Sequence, residues 1–95
     1  MEDLIKKILK FRNDRNWKSA HTPSNLAKSI IIEAAELLEL FQWSDAFDKE
    51  KLADELADVL IYSFQLADTV GLDIEEIVLS KIKKNAKKYP LDEKK

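Results

Sequence analysis

The scarcity of chain-breaking residues constrains the fold most strongly. Only one glycine, Gly71, and two prolines, Pro23 and Pro90, occur among 95 residues, of which 45% are hydrophobic and 36% charged. This profile suits packed helices and leaves few residues for the turns of a β-sandwich. The length supports one modest hydrophobic core. The sequence therefore predicts an all-α, four-helix bundle that forms a single domain over residues 1–95.

Apolar residues recur at intervals of three and four, the spacing of one helix face, in four segments. Thr22 can cap the second helix with Pro23 at its first position, Gly71 stops the third, and Asp73 can cap the fourth. The last residues, 91–95, are predicted to fray. The predicted helices are Glu2 to about Asn13, Pro23 to Phe41 or Trp43, Lys49 to Val70, and a fourth that follows Asp73 and ends before Pro90.

Two pairs of acidic residues share one internal spacing: Glu33 with Glu36, and Glu55 with Asp58. Residues three apart on a helix lie about 60° apart around its axis, so each pair projects to one side of its helix. Glu33 also falls within an apolar stripe, where a leucine would be expected. If the second and third helices pack together, they gather one cluster of four carboxylates.

The ordinary alternative for such pairs is a solvated helix face with lysines one turn away. Neither Glu33 nor Glu36 has a basic residue three or four positions away, and Asp58 follows two other acids; Glu55 alone has a partner, in Lys51. Gathering like charges is unfavourable, and burial adds a desolvation cost. The pattern therefore indicates that a cation occupies the cluster.

The available donors limit which cation this is. The chain has no cysteine and a single histidine, His21. Oxygen ligands favour Mg²⁺, with Mn²⁺ as a substitute, over zinc or copper, and neither acidic helix carries the Glu-x-x-His motif of di-iron bundles. Mg²⁺ held by carboxylates commonly meets substrate phosphates, which points to phosphoester or pyrophosphate hydrolysis.

The charge distribution and the apolar runs indicate which partners and which cellular location to expect. The segment from Glu33 to Asp58 contains nine acidic residues and two lysines. This acidic centre argues against binding long nucleic acid, which needs a continuous basic face. No apolar run approaches the ~18 residues of a membrane span, and the N-terminus lacks a signal-peptide pattern. We expect a cytoplasmic protein without a membrane partner.

Besides the two acidic pairs, the chain contains these motifs in order: Arg15-Asn16-Trp17, His21-Thr22-Pro23-Ser24-Asn25-Leu26, Glu39-Leu40-Phe41-Gln42-Trp43, Asp58-Val59-Leu60-Ile61-Tyr62, and Ser80-Lys81 through Asn85 to Lys88-Tyr89-Pro90. Together they resemble the MazG-like, all-α nucleotide pyrophosphohydrolase family, and its dCTP pyrophosphatase branch most closely. The resemblance covers about residues 12–90. Three positions depart from the pattern. Ile32 stands where many family members have a second glutamate, Ile8 stands where the branch has a histidine on the substrate side, and Lys88 replaces the branch's usual arginine.

The resemblance implies a nucleoside triphosphate pyrophosphatase that releases the monophosphate and pyrophosphate. It implies Mg²⁺ on Glu33, Glu36, Glu55 and Asp58, and we expect Glu36 or Glu55 to orient the attacking water. It further implies dimers, often paired into tetramers, with Lys81 and Asn85 reaching the pocket from their own or another subunit. The implied substrate pocket contains Trp17, His21, Trp43, Tyr62, Lys81 and Asn85.

Two alternatives remain open at this point. The aromatic residues could be core or interface anchors instead of surfaces that stack a base. The chain could also be a non-catalytic assembly module whose acids pair with the lysine-rich fourth helix, since a chain this short carries more apolar surface than it can bury alone.

Overall fold

The fold consists of four helices joined by short connections, as a computed structural model of the chain describes it for residues 1–91. Within that range there is no strand, which confirms the all-α prediction; residues 92–95 of the tail predicted to fray lie outside the described part. The helices are α1 (Glu2–Asp14), α2 (Pro23–Glu39), α3 (Lys49–Thr69) and α4 (Ile74–Lys88).

Side-chain caps start three of the helices. Thr22 Oγ1 accepts a hydrogen bond from the Asn25 N–H at 3.2 Å, and Asp73 Oδ1 accepts one from the Glu76 N–H at 3.0 Å. Asp48 caps α3 by accepting from two backbone N–H groups in its first turn. These bonds satisfy donors that have no partner within the helix, which fixes where α2, α3 and α4 begin.

The end of α2 differs from the sequence prediction. The helix ends at Glu39, before Phe41 or Trp43, and the Phe41 and Gln42 N–H groups bond to carbonyls three residues back. This tighter winding is common in the last turn of a helix. Trp43 is therefore not held on a helix face.

Helices α2 and α3 pack along each other, and α1 packs against α3. Ile8, Leu26 and Ala67 form the small buried core. Arg12 of α1 is 2% exposed and donates to Asp68 Oδ2 of α3 at 3.0 Å, so an ion pair joins these two helices.

Much of the apolar surface is not covered within one chain. Helix α4 buries none of its residues. The radius of gyration is 16.5 Å, whereas a compact domain of this length has about 12 Å. No helix within residues 1–91 combines the length and apolar character that crossing a membrane requires. The large apolar side chains exposed on α2 and α4 are Ile31, Ile32, Leu38, Ile77, Val78, Leu79 and Ile82.

Candidate functional site

The packing of α2 on α3 brings together acids from both pairs. Glu33 of α2 and Glu55 and Asp58 of α3 each place a carboxylate oxygen within 4.8 Å of the other two. The three-residue spacing puts both α3 acids on the side that faces α2. Glu36 is exposed at the border of this group, one helical turn beyond Glu33.

Among the described residues, no positive charge compensates the cluster. Glu33 Oε2 and Glu55 Oε2 are buried and have no hydrogen-bond partner. The ion pairs found among residues 1–91 join Lys10 to Asp14 and Arg12 to Asp68, so no basic side chain in that range pairs with the cluster. A buried carboxylate oxygen without a donor is costly, and the site is incomplete as a purely structural feature.

The crowding changes the protonation of two of these acids. Burial raises the pKa of Glu33 from 4.5 to about 7, helped by hydrogen bonding to Glu36 and by the negative charges of Glu36, Asp58 and Glu55. The pKa of Glu55 is raised chiefly by hydrogen bonding to Glu36, with desolvation as the next cause. Without a cation, Glu33 therefore retains its proton to higher pH than an ordinary glutamate, up to about pH 7.

The residues present fit a divalent metal ion. All the donors are carboxylate oxygens, which hard cations such as Mg²⁺ and Mn²⁺ prefer. Mg²⁺ binds oxygens at about 2.1 Å, so opposite ligands on one ion are about 4.2 Å apart. The 4.8 Å limit on the separations of the three oxygens lies close to that distance, and a small side-chain movement would let them share an ion.

A cavity of about 360 Å³ adjoins the carboxylates, with Asp58 in its wall. Its other residues come from α1, from the loop between α1 and α2, and from α3. Phe11, Trp17, His21 and Tyr62 give it aromatic walls, and Ile8 and Ile61 add apolar surface. A flat, ring-shaped ligand would match this lining.

The aromatic rings form a continuous series. Ring centres are 5.8 Å apart for Phe11 and Trp17, 5.9 Å for Trp17 and His21, and 6.2 Å for His21 and Tyr62. The Arg15 guanidinium lies 3.4 Å from the centre of the Phe11 ring and donates to the Phe11 carbonyl, which holds the loop end of this wall. Trp17 remains 44% exposed, so its ring is accessible to a ligand.

Sequence reasoning missed Gln65, one of the polar residues of the cavity. Gln65 is 3% exposed, and its Oε1 lies 2.7 Å from His21 Nδ1. It lies on α3 three residues beyond Tyr62 and seven beyond Asp58, the spacing of one helix face. Extending that face by one turn past Tyr62 would have identified it. Phe11 and Lys7 were also missed. The apolar pattern of α1 did not identify them, although the substrate-side position of Ile8 in the related branch indicated that this helix borders the site.

The other residues predicted for the substrate site lie away from the cavity. Trp43 is 89% exposed in the connection after α2. Lys81 and Asn85 are exposed on α4. None of these three side chains lines the cavity. Within one chain, the structure brings together Glu33, Glu55 and Asp58 as one group and Trp17, His21 and Tyr62 as another, with Asp58 lining both.

The chain matches known proteins along nearly its whole length. A model of the MazG-like family matches residues 28–95. dCTP pyrophosphatase 1 of Rattus norvegicus is 37% identical over 101 residues, and the Homo sapiens protein of that name is 35% identical over 100 residues. These matches cover 96% and 95% of this chain. The chain spans 59% of the length of each of these relatives.

A solved structure has the same fold. The crystal structure of a pyrophosphatase from Archaeoglobus fulgidus superposes with a TM-score of 0.86 at 44% sequence identity. The match covers 96% of this chain and 93% of that one. The four-helix arrangement is therefore shared with a protein of nearly the same extent.

Proposed function

This chain belongs to the MazG-like family, as its motifs predicted, and from that premise we propose that it hydrolyses a nucleoside triphosphate to the monophosphate and pyrophosphate. The observation that carries the proposal is the position of Asp58, which lies both in the unpaired carboxylate cluster and in the wall of the aromatic cavity. A phosphate-binding metal site and a surface for a base are thus adjacent.

Glu33, Glu55 and Asp58 would hold Mg²⁺, with Glu36 completing the set as the sequence predicted. The bound ion would draw negative charge from the phosphate oxygens and lower the pKa of a water ligand. The two buried carboxylate oxygens support this assignment, because cation binding supplies the partner that each of them lacks.

Glu36 or Glu55 orients the attacking water and accepts its proton. Water then forms a bond to phosphorus while the α,β bridging bond breaks, and pyrophosphate leaves. Glu36→Gln and Glu55→Gln distinguish the two roles: the variant that keeps Mg²⁺ binding and loses turnover identifies the residue that acts on water. Isothermal titration with Mg²⁺ and product-resolved kinetics measure the two properties separately.

The base of the nucleotide occupies the aromatic cavity, where Trp17 and Tyr62 contact its faces. The named relatives are dCTP pyrophosphatases, so the proposed substrate is dCTP or a related pyrimidine deoxynucleotide. Such substrates belong to the nucleotide pool, and we assign the protein to the cytoplasm, where it would remove unwanted triphosphates from that pool.

The active form is a homo-oligomer, either a dimer or a pair of dimers. The support is the apolar face of α4, which carries Val78 and Ile82 and buries nothing within one chain. Lys81 and Asn85 lie on this helix, and Trp43 is exposed close to α2. Pairing of subunits would let these three side chains reach the cavity of a partner subunit.

A panel of ribonucleoside and deoxyribonucleoside triphosphates with Mg²⁺ tests the function directly. We expect the monophosphate and pyrophosphate in equal amounts, resolved by ion-exchange chromatography, and no turnover in EDTA. Orthophosphate as the direct product, or no hydrolysis of any nucleotide, would contradict the proposal.

The scaffold alternative makes a different prediction. If the acids only joined subunits, Glu33→Gln would disrupt the oligomer and leave Mg²⁺ binding unchanged. The absence of any lysine paired with the cluster among the described residues weighs against this alternative.

A further inference from the structure

We propose that Gln65 and His21 form a base-reading pair in which His21 fixes the orientation of the Gln65 amide, so that the amide selects a 4-aminopyrimidine over a 4-oxopyrimidine. This inference rests on the proposed function and deepens it by assigning what discriminates the base. Gln65 is then a specificity-determining residue, and His21 is a positioning residue.

The position of Gln65 places it at the base end of the cavity. Asp58 and Gln65 lie on one face of α3, and seven residues at 1.5 Å each separate them by about 10 Å along the axis. Asp58 belongs to the carboxylate cluster, so the reacting phosphates lie at that end. The sugar separates the phosphates from the base, which is therefore directed along α3 toward Gln65.

The hydrogen bond between the two side chains determines how the amide is oriented. Gln65 Oε1 is an acceptor, and it lies 2.7 Å from His21 Nδ1. We assign the ring proton of His21 to Nδ1, which then donates to Gln65 Oε1. The amide nitrogen of Gln65 consequently points away from His21.

The amide nitrogen of Gln65 is available to a ligand. Residue 65 is 3% exposed and lines the cavity, yet its amide nitrogen has no acceptor among residues 1–91. The amide nitrogen is not one of the fully buried unpaired atoms, so it borders the open cavity, most of whose lining is aromatic or aliphatic. A ring nitrogen or carbonyl on a bound base would supply the missing acceptor.

His21 is itself held in place. Its ring lies between Trp17 and Tyr62, with ring centres 5.9 and 6.2 Å away. Rotating the Gln65 amide by 180° would place its nitrogen against the Nδ1 proton of His21 and lose the hydrogen bond. The amide therefore keeps one orientation as long as His21 Nδ1 carries the ring proton.

A fixed amide distinguishes the two kinds of pyrimidine. Cytosine presents a ring-nitrogen acceptor beside an amino donor, whereas uracil and thymine present a ring N–H donor beside a carbonyl acceptor. When the ring nitrogen N3 and the substituent at C4 face the amide, one orientation of the glutamine amide pairs with cytosine, and only the reversed orientation pairs with uracil or thymine. A site with buried hydrogen-bonding groups rejects a ligand that leaves them unpaired.

The test compares dCTP with dUTP. We expect the parent protein to favour dCTP in kcat/KM by at least about 50-fold, and Gln65→Leu to reduce the preference to within about threefold, mainly through a higher KM for dCTP. His21→Phe retains an aromatic ring and frees the amide, so it should also reduce the preference while turnover continues. Gln42→Leu makes the same substitution at an exposed glutamine and should leave the preference unchanged.

A second readout does not depend on turnover. Non-hydrolysable α,β-methylene analogues of dCTP and dUTP, titrated against tryptophan fluorescence, should show the same loss of discrimination. Thermal melting shows whether each variant is folded. If Gln65→Leu does not fold, the dCTP-to-dUTP preference of His21→Phe tests the inference. A preference unchanged in both variants, or a parent that favours dUTP, overturns the inference and leaves the proposed function standing; a parent that hydrolyses no nucleotide overturns both.

Discussion

Replacing Glu33 by glutamine should change the pH dependence of stability in the metal-free protein. The pKa of Glu33 is raised from 4.5 to about 7 in the folded state. Below pH 4.5 the carboxyl is protonated in both states; between 4.5 and 7 the folded state retains a proton that the unfolded state has released. The free energy of unfolding therefore falls as pH rises through this range, and the loss is complete above about pH 7.

The size of the loss follows from the shift. A rise from 4.5 to about 7, at 1.36 kcal/mol per unit, corresponds to about 3 kcal/mol. Because part of Glu33 remains in contact with water, screening reduces this to about 1–2 kcal/mol. In EDTA, the parent should thus lose about 1–2 kcal/mol more than Glu33→Gln between pH 4.5 and pH 8.

Urea unfolding at both pH values, at one fixed protein concentration, measures this difference. Glu39→Gln is the matched control, because Glu39 lies on the same helix outside the cluster. At pH 8, Mg²⁺ at one hundred times its dissociation constant should raise the free energy of unfolding of the parent by about 2.7 kcal/mol. The same Mg²⁺ concentration should stabilise Glu33→Gln much less. An identical pH dependence in the parent and in Glu33→Gln would refute the view that Glu33 carries the extra proton.

Four further substitutions test the site and the fold. Asp58→Asn should lower kcat/KM by more than 10- to 100-fold, the loss typical of removing a residue that only hydrogen-bonds to a metal ligand, and should not lower the melting temperature. Activity equal to that of the parent would show that Asp58 is not part of the site. Leu26→Ala, at a position 1% exposed, should cost about 2–5 kcal/mol in urea unfolding, and a cost below 1 kcal/mol would contradict its place in the core. Gly71→Ala should lower the free energy of unfolding by about 1 kcal/mol, because φ at this position is 74°, which strains any residue with a Cβ. Nothing lies within 4 Å of the added Cβ, so steric overlap does not contribute. A more stable variant would contradict the strain argument. Ile82→Lys on α4 should shift the mass measured by sedimentation toward the monomer, and an unchanged mass would remove α4 from the interface.

The limits of the helices were predictable because the information is local. The side chains of Thr22 and Asp73 provide caps that depend on only a few neighbouring residues, and Gly71 has the positive φ that ends α3 and its turn. The end of α2 was predicted too late, because the apolar pattern continues through Phe41 while the backbone tightens after Glu39. The apolar pattern shows which residues can face the core, but it does not show where the helix changes to tighter hydrogen bonding.

The sequence by itself determined the all-α class, the two acidic pairs and the kind of donors available to a metal ion, because each follows from residue type and spacing within a single helix. Only the tertiary structure decided that Glu33 meets Glu55 and Asp58, that two of their oxygens are buried without partners, and that His21 lies against Gln65 from a position 44 residues away. The physical reason is that pKa values, unpaired buried atoms and contacts between distant side chains depend on distances between separate segments of the chain. Packing sets these distances, and the spacing along one helix does not.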